Sequence, residues 1–189
     1  MPRIVNSRVA YDGYAKVTLL TLTDDTGEVH NREVVNFGRS ACVLPYDPDR
    51  KLALIVRLPR APLLLHGVAA NLIEAPAGMI SAGESAEETV RREAMEEAGL
   101  HLGELEPIAT CWPSPGVLAE RTHLFLAPYR STDRVGPGGG LAEESEAITV
   151  EELPLAQLWR AAQAGELQDL KTLTLVLALY VRRTMLFAA

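Results

Sequence analysis

The segment GMISAGESAEETVRREAMEEAGL (78–100) decides the fold of this 189-residue chain. Ser85, followed three residues later by Glu88, forms a capping box, and Gly99 is a helix stop. The segment therefore predicts a helix over residues 85–98. The small apolar residues of this helix recur at the helical period of about 100° per residue. They form one stripe: Ala86, Val90, Ala94 and Ala98.

Three glutamates share one side of this helix, because Glu93, Glu96 and Glu97 are spaced i, i+3 and i+4. Glu97 falls inside the apolar stripe and Glu93 on its border, where carboxylates lose hydration and repel one another. One guanidinium, that of Arg92, cannot neutralise three carboxylates. A hard divalent cation such as Mg²⁺ takes oxygen ligands and would satisfy the group. A solvated, ion-paired helix is the alternative interpretation of such a run.

The whole segment matches the pattern G-x5-E-x7-R-E-U-x-E-E-x-G-U, in which U is aliphatic. The matching residues are Gly78, Glu84, Arg92, Glu93, Glu96, Glu97, Gly99 and Leu100. Ala94 stands at the first U position and is smaller than the usual residue. The pattern resembles the Nudix box, so the chain is identified as a member of the Nudix hydrolase family. The resemblance implies an α+β Nudix fold, with a mixed β-sheet sandwiched between helices, and metal-dependent hydrolysis of a nucleoside diphosphate linked to another group.

The resemblance also implies roles for the residues of the box. The implied metal ligands are Glu93, Glu97, the assisting Glu96 and the carbonyl of Ala77. Glu84 and Arg92 correspond to the supporting catalytic pair that orients the cluster. Mg²⁺ is the implied cofactor, with Mn²⁺ as a substitute. This chemistry is coherent, because a pyrophosphate enters an acidic site only when cations reverse the local charge.

Three further segments narrow the resemblance to one branch of the family. EAPAG (74–78) precedes the box, SPG (114–116) follows it, and GGGLAEESEAITV (138–150) comes later. Together they resemble the ADP-ribose and GDP-mannose pyrophosphatase group over residues 14–179, with the last segment most similar to NudK-type members. The branch implies hydrolysis of a nucleoside diphosphate sugar to a nucleoside monophosphate and a sugar phosphate, with the base and the sugar left open.

The resemblance points to further site residues outside the box. The water-activating glutamate corresponds to Glu144, with Glu146 as the second candidate, and glycines 138–140 suit a hinge that closes over the substrate. The implied substrate-binding residues are Arg32, Arg60, Ser114, Gly116 and Glu120. A guanidinium presents a fork of donors that suits phosphate oxygens. Simpler interpretations are a surface cation for Arg32, a turn for SPG and a solvated acidic loop.

The order of predicted elements is strands first, one helix in the middle and helices last. This order is typical of an α+β fold or of a mixed-sheet α/β/α sandwich rather than of a regular βαβ alternation. Residues 1–38 predict an antiparallel β-meander with a turn at 24–27. A meander this short cannot bury its own apolar face, so we expect it to pair two copies of the chain in a homodimer, as in the resembling enzymes. Residues 39–189 are the predicted Nudix hydrolase domain.

Individual elements of that domain follow from local patterns. The predicted strands are 40–46, 52–58, 105–112, 122–129 and 148–153, with an extended run at 69–77. Two helices are predicted at Leu155–Ala164 and about residues 168–183. The stretch 61–73 is more apolar than in the resembling family, and no role is assigned to it.

Composition excludes several classes of protein. Apolar residues make up 48 % and charged residues 23 %, which excludes intrinsic disorder. The net charge of −7 argues against a protein that coats nucleic acid or an anionic membrane.

The opening residues 1–13 lack the apolar core of a signal peptide, and the apolar run 173–181 is half a bilayer span. Two cysteines, Cys42 and Cys111, indicate neither a disulfide framework nor a zinc site. We therefore expect a cytoplasmic protein.

Two other functions remain open at this point. A catalytically silent Nudix-like protein could bind ADP-ribose as a sensor, although loss of box glutamates would mark that class and none is missing here. A Nudix hydrolase could also act on another nucleoside diphosphate derivative, such as a dinucleotide polyphosphate or coenzyme A.

Overall fold

The structure is a computed structural model that describes residues 1–68, 71–141 and 147–188. The strands are β1 (Arg3–Asp12), β2 (Lys16–Thr23), β3 (Val29–Asn36), β4 (Arg39–Asp47), β5 (Leu52–Arg57), β6 (Ala77–Met79), β7 (Glu106–Cys111), β8 (Arg121–Pro128) and β9 (Thr149–Pro154). The helices are α1 (Ala61–Leu65), α2 (Ala86–Ala98), α3 (Leu155–Ala164) and α4 (Leu170–Arg182). Short 3₁₀ turns lie at Ser131–Asp133 and Thr184–Phe187.

The first three strands form a separate antiparallel sheet in the order β1-β2-β3, as the sequence predicts. The turn between β2 and β3 is built by Asp24, whose carboxylate accepts hydrogen bonds from the backbone N–H groups of Thr26 and Glu28. Every residue of β1 is exposed. This sheet therefore presents apolar side chains to solvent in the single chain.

The central sheet has the order β7-β8-β4-β5-β9 and is mixed, because β4 and β8 run parallel while the other pairs in this order are antiparallel. β4 is buried on both faces, and successive side chains alternate between them. Cys42 and Leu44 pack in the core that contains α3 and α4. Ala41 and Val43 pack in the core that contains α2. The predicted sheet sandwiched between helices is thereby confirmed.

One edge of β4 is shared by two strands, which creates the space for a site. β5 pairs with the end of β4, at Tyr46 and Asp47, whereas β6 pairs antiparallel with its beginning, at Ser40, Ala41 and Cys42. Glu74 exchanges two backbone hydrogen bonds with Val56 of β5, with N···O distances of 2.8 and 3.0 Å. The 74–79 segment therefore lies in the fork between β4 and β5.

Helix α2 has the predicted ends and the predicted buried stripe. The Ser85 hydroxyl accepts the Glu88 N–H at 3.2 Å, and the Glu88 carboxylate accepts the Ser85 N–H at 2.8 Å. The helix ends at Gly99, which is left-handed with a φ of 62°. The side chains of the stripe are buried: Ala86, Val90, Ala94 and Ala98.

Two details of residues 61–79 go beyond what the sequence predicts. Residues 61–65 form the short helix α1, which has Pro62 in its first turn but no polar face that would give a helical pattern. The extended run predicted at 69–77 contributes single bridges at Asn71 and Glu74, and strand β6 begins only at Ala77; positions 69 and 70 lie outside the described residues. Among the described residues, no helix is long and apolar enough to cross a membrane.

Candidate active site

A cleft of about 930 Å³ lies between β6, α2 and the beginning of α4. Its walls carry both signs of charge. The acidic residues that line it are Glu74, Glu93, Glu120 and Asp169, and the basic ones are Arg60, Arg92 and Lys171. Apolar side chains of the α1 region, Pro62 and Leu63, complete one wall together with Leu72. A cleft of this size and mixed polarity suits a nucleotide-sized ligand.

Arg92 is the centre of the charged cluster on α2. Its Nη1 donates to Glu93 Oε1 at 2.8 Å and to Glu96 Oε2 at 2.9 Å, and its Nε donates to Glu84 Oε1 at 3.0 Å. The hydrogen bond to Glu84 is the strongest of the influences that raise the pKa of Arg92. One guanidinium thus gathers the carboxylates of Glu84, Glu93 and Glu96.

Glu84 is fixed by three groups besides Arg92 Nε. Its carboxylate accepts hydrogen bonds from Arg92 Nη2 at 3.3 Å, from the Thr89 hydroxyl at 2.9 Å and from the Ser81 N–H at 3.2 Å. The Arg92 guanidinium is the largest influence and lowers the pKa of Glu84 to about 2, from an ordinary value of 4.5. Glu84 therefore stays ionised and holds Arg92 in place.

Glu93 lies against the backbone of the segment before the helix. A Cβ atom at Gly78 would stand 1.7 Å from Glu93 Oε1 and 2.1 Å from its Cδ. Any side chain at Gly78 would therefore displace this carboxylate, which explains why the pattern needs glycine there. Both residues line the cleft.

Glu97 reaches the same segment from one turn further along α2. Its side chain is only 4 % exposed, and its Oε2 accepts the backbone N–H of Ala77 at 3.0 Å. Of the expected ligand set Glu93, Glu96, Glu97 and Ala77, the residues Glu93 and Ala77 line the cleft. Glu97 is bound to Ala77, and Glu96 shares the Arg92 guanidinium with Glu93. All of the side-chain donors in that set are oxygen atoms, which suits Mg²⁺ or Mn²⁺.

A second cluster of charges faces the first across the cleft. Arg60 donates two parallel hydrogen bonds to Glu74, each 2.8 Å long, and the Glu74 carboxylate is only 3 % exposed. Lys171 Nζ lies 3.8 Å from the same carboxylate and 2.6 Å from Asp169. Burial alone would lower the pKa of Lys171, but the charges of Asp169 and Glu74 raise it. The Arg60 guanidinium and the Lys171 ammonium thus both stay charged beside the cleft.

Glu120 also lines the cleft, as the sequence predicts. Its Oε1 accepts hydrogen bonds from the Ser40 hydroxyl at 2.6 Å and from the Thr122 hydroxyl at 3.3 Å. Ser40 stands at the start of β4 and Thr122 at the start of the neighbouring β8, so two central strands fix this carboxylate. Its orientation therefore follows from the sheet.

Three predicted substrate-binding residues lie elsewhere in the single chain. Arg32 and Gly116 line a separate groove of about 650 Å³ on the N-terminal sheet, together with Arg8. The Arg32 guanidinium donates to the carbonyl of Asn31 at 2.8 Å. The carbonyl of Ser114 accepts the backbone N–H groups of residues 117 and 118, so SPG does form a turn. The fold of one chain does not bring these residues to the cleft.

The predicted water-activating residues Glu144 and Glu146 lie outside the described residues. The preceding glycines are described, and two of them are hydrogen-bonded to α2. The N–H of Gly139 donates to the carbonyl of Glu97 at 2.8 Å, and the N–H of Gly140 donates to the carbonyl of Glu96 at 3.1 Å. The glycine-rich segment is therefore attached to the end of α2.

Glu74, Asp169 and Lys171 line the cleft without having been predicted from the sequence. Glu74 is the first residue of the EAPAG segment. An ionisable residue in an otherwise apolar stretch directly before the box is the signal by which it can be found. Lys171 and Asp169 lie at the start of a predicted helix, about seventy residues after the end of the box. Only the packing of α4 against the central sheet brings them to the cleft.

Comparisons with known proteins agree with this geometry. Residues 36–173 match the NUDIX domain family. A GDP-mannose pyrophosphatase from Salmonella arizonae is 35 % identical over 187 residues, which is 96 % of this chain and 96 % of that protein. A GDP-mannose pyrophosphatase from Escherichia coli O1:K1 is 35 % identical over 178 residues, covering 92 % of each chain.

A solved structure shares the fold. The crystal structure of an ADP compounds hydrolase superposes with a TM-score of 0.76 and covers 97 % of this chain and 94 % of that one, at 17 % sequence identity. The fold of the N-terminal sheet and of the sandwich is therefore found in an experimentally determined protein.

Proposed function

Because this chain belongs to the Nudix family, we propose that it is a hydrolase that cleaves the diphosphate of a nucleoside diphosphate sugar, GDP-mannose or ADP-ribose. The products are a nucleoside monophosphate and a sugar phosphate. The observation that supports the proposal is the cleft itself, which is lined by Arg92 and Glu93 of the box together with Arg60 and Lys171. No glutamate of the box is replaced, which argues against a silent sensor.

The box end of the cleft is the proposed site of a divalent metal ion, with Mg²⁺ as the resident ion and Mn²⁺ as a substitute. The ligands would be Glu93, Glu97, the assisting Glu96 and the carbonyl of Ala77. The donor chemistry fits, since every side-chain ligand is a carboxylate and Arg92 alone cannot balance their charge. When bound, the ion neutralises the pyrophosphate and polarises its phosphoryl oxygens.

The chain's own residues position both reactants. Arg92, itself fixed by Glu84, keeps the carboxylates of Glu93 and Glu96 pointing the same way. Arg60 and Lys171 attract the phosphate oxygens from the opposite wall, where partial burial strengthens the attraction. Catalysis is then mainly charge stabilisation and orientation of the scissile bond. Glu144, with Glu146 as the alternative, is proposed to accept the proton of the attacking water.

Residues 1–38 are proposed to pair two copies of the chain, leaving residues 39–189 as the hydrolase domain. The support is the exposure of apolar side chains on β1, where Ile4 is 63 % and Val9 is 49 % exposed. Ile4 and Val9 lie on the same sheet as Arg32. Pairing of two chains through this sheet would therefore also determine whether Arg32 and Gly116 reach the cleft of their own chain or that of the partner. A three-stranded sheet of this size gains stability when an apolar face is covered.

Oligomeric state tests the pairing directly. Sedimentation velocity of the full chain should give a dimer, and Val9→Lys should shift the population toward monomer. Val181→Lys is the control, because Val181 is 79 % exposed on α4 rather than on the N-terminal sheet. Monomeric wild-type protein would contradict the pairing.

A substrate panel tests the reaction. The protein is incubated with GDP-mannose, ADP-ribose, a diadenosine polyphosphate or coenzyme A, with Mg²⁺ or with excess EDTA, and released nucleotides are separated by ion-exchange chromatography. We expect GMP or AMP from a sugar nucleotide in Mg²⁺ and none in EDTA. Preference for the last two substrates would change the assigned substrate, and full turnover in EDTA would overturn the metal site.

A further inference from the structure

The carbonyl groups at the end of α2 are capped by a distant segment of the chain. Helix ends leave their last carbonyls without partners inside the helix. Here the N–H groups of Gly139 and Gly140 bind the carbonyls of Glu97 and Glu96, at 2.8 and 3.1 Å. The N–H of Val135 binds the carbonyl of Gly99 at 2.8 Å. The last turn of α2, which carries two of the box glutamates, is thus held by a segment about forty residues away.

This contact is close enough to require glycine on both sides. A Cβ atom at Gly138 would stand 2.3 Å from the carbonyl oxygen of Glu97 and 2.6 Å from the Cα of Ala98. A Cβ atom at Gly99 would stand 2.3 Å from the carbonyl oxygen of Gly136. These separations are about 1 Å short of van der Waals contact. The backbones of the two segments can approach in this way only because neither has a side chain there.

We propose that the glycine segment 136–140 is a positioning element for the metal ligands Glu96 and Glu97. It acts through the backbone of α2, because a shift of the Glu97 carbonyl moves the Cα and the carboxylate of the same residue. The proposal rests on the proposed function, which makes those carboxylates ligands. It gives the glycines a role other than flexibility, since Gly140 is bound to the carbonyl of Glu96 on the ligand helix.

The expected effect follows from the size of the displacement. Inserting a methyl group at Gly138 must move the Glu97 carbonyl or the glycine segment by about 1 Å. Misplacement of a catalytic group by about 1 Å can lower a rate by about 10²-fold. A ligand carboxylate that moves with its backbone also loses part of its affinity for the ion.

The chain offers a matched control at Gly165. Gly138 and Gly165 have nearly the same left-handed backbone, with φ values of 71° and 75°. No heavy atom of the described residues lies within 4 Å of a Cβ built at Gly165, which ends α3 away from the cleft. Substitution by alanine therefore imposes the same backbone strain at both positions and crowds α2 only at Gly138.

The decisive measurement is Mn²⁺ binding without substrate, by isothermal titration calorimetry, on the full-length variants. Gly138→Ala should weaken Mn²⁺ binding by about tenfold or more and lower kcat on GDP-mannose by about 10²-fold, whereas Gly165→Ala should leave both within about twofold of wild type. Equal Mn²⁺ affinity and kcat in the two variants would overturn the positioning role. Absence of Mn²⁺ binding by wild-type protein would instead overturn the proposed function, and this proposal with it.

A measurement on the wild-type protein covers the case in which Gly138→Ala does not fold. Amide hydrogen exchange followed by NMR should show the N–H groups of Gly139 and Gly140 protected, at least as strongly as the N–H of Gly165, which binds the Ala162 carbonyl at 3.2 Å. Saturating Mn²⁺ should increase the amide protection of Gly139 and Gly140 and leave that of Gly165 unchanged. The exchange in Mn²⁺ is followed by mass spectrometry, because the paramagnetic ion broadens NMR signals. Unprotected amides at these two glycines would identify a hinge and overturn the proposal.

Discussion

The backbone N–H of Ala77 donates a hydrogen bond to Oε2 of Glu97 across 3.0 Å, joining strand β6 to helix α2. The two residues are twenty positions apart, and both belong to the proposed ligand set. The bond fixes the direction of a carboxylate that is only 4 % exposed. A strand and a helix together therefore fix the orientation of the Glu97 carboxylate.

Glu97→Gln should lower kcat by about 10²-fold or more while changing the thermal unfolding midpoint only slightly. The amide keeps the shape of the side chain and an oxygen that can accept the Ala77 N–H, but it removes the negative charge. Substitution of a residue that only hydrogen-bonds to a metal ligand typically lowers metal affinity or activity by about 10–100-fold. Substitution of a ligand itself should therefore lower kcat by at least the upper end of that range. Steady-state kinetics and circular dichroism check the two parts.

The control for that substitution is Glu87→Gln, which removes a carboxylate from an exposed position of the same helix. It should leave kcat near the wild-type value. Near wild-type turnover by Glu97→Gln would show that the metal site is wrongly placed.

Glu74→Gln should raise KM for the sugar nucleotide by about tenfold and change kcat less. The neutral amide cannot accept two charge-assisted hydrogen bonds from Arg60, and it no longer attracts Lys171 at 3.8 Å, so both cations lose their fixed direction. Removal of one partner of a buried ion pair also destabilises the fold, here by less than the usual 3–5 kcal/mol because Arg60 is partly exposed.

Glu151→Gln serves as the control for Glu74, because it breaks a single 3.0 Å bond to Arg57 on the sheet. Its KM should match that of wild type. An unchanged KM in Glu74→Gln would mean that Arg60 and Lys171 do not bind the substrate.

The ion pair of Glu84 with Arg92 should make the free energy of unfolding depend on pH between 4.5 and about 2. Since Arg92 lowers the pKa of Glu84 in the folded protein to about 2 from 4.5, the pair stabilises the fold fully above pH 4.5. This contribution is lost as the pH falls from 4.5 toward 2. Urea unfolding of wild type and Glu84→Gln in EDTA, at pH 6, 4 and 3, should show a difference in unfolding free energy that shrinks with pH. A constant difference would refute the ion pair.

Local signals explain why the box helix could be predicted closely. The capping box of Ser85 and Glu88, the stop at Gly99 and the apolar stripe all act within one helix, and each is visible in the residue order. The partial burial of Glu93 and the burial of Glu97 follow from the same helical period.

Contacts between distant elements explain what could not be predicted. Lys171 reaches the cleft because α4 packs on the central sheet, and no pattern around position 171 signals that position. The glycines 138–140 illustrate the opposite case, in which the sequence suggests flexibility but hydrogen bonds to α2 hold the backbone. Residue type gives the range of possible conformations, and the tertiary partner selects one of them.

A separate proton acceptor is expected because the carboxylates of the box are engaged. Glu93 and Glu96 are hydrogen-bonded to Arg92, and Glu97 is hydrogen-bonded to Ala77. In the proposed function they also hold a metal ion, which leaves them poor bases.

Glu144 is the proposed base, although it lies outside the described residues. It follows Gly140 by four residues in the sequence, and the N–H of Gly140 donates to the carbonyl of Glu96 on α2. Glu144→Gln should lower kcat by about 10²–10⁴-fold, the usual contribution of a general base, with little change in KM or Mn²⁺ affinity. Glu143→Gln should be nearly silent and serves as the control. Side-by-side kinetics at saturating Mg²⁺ decide the assignment: a larger loss in Glu146→Gln would move the role to that residue, and three mild variants would place the base outside this loop.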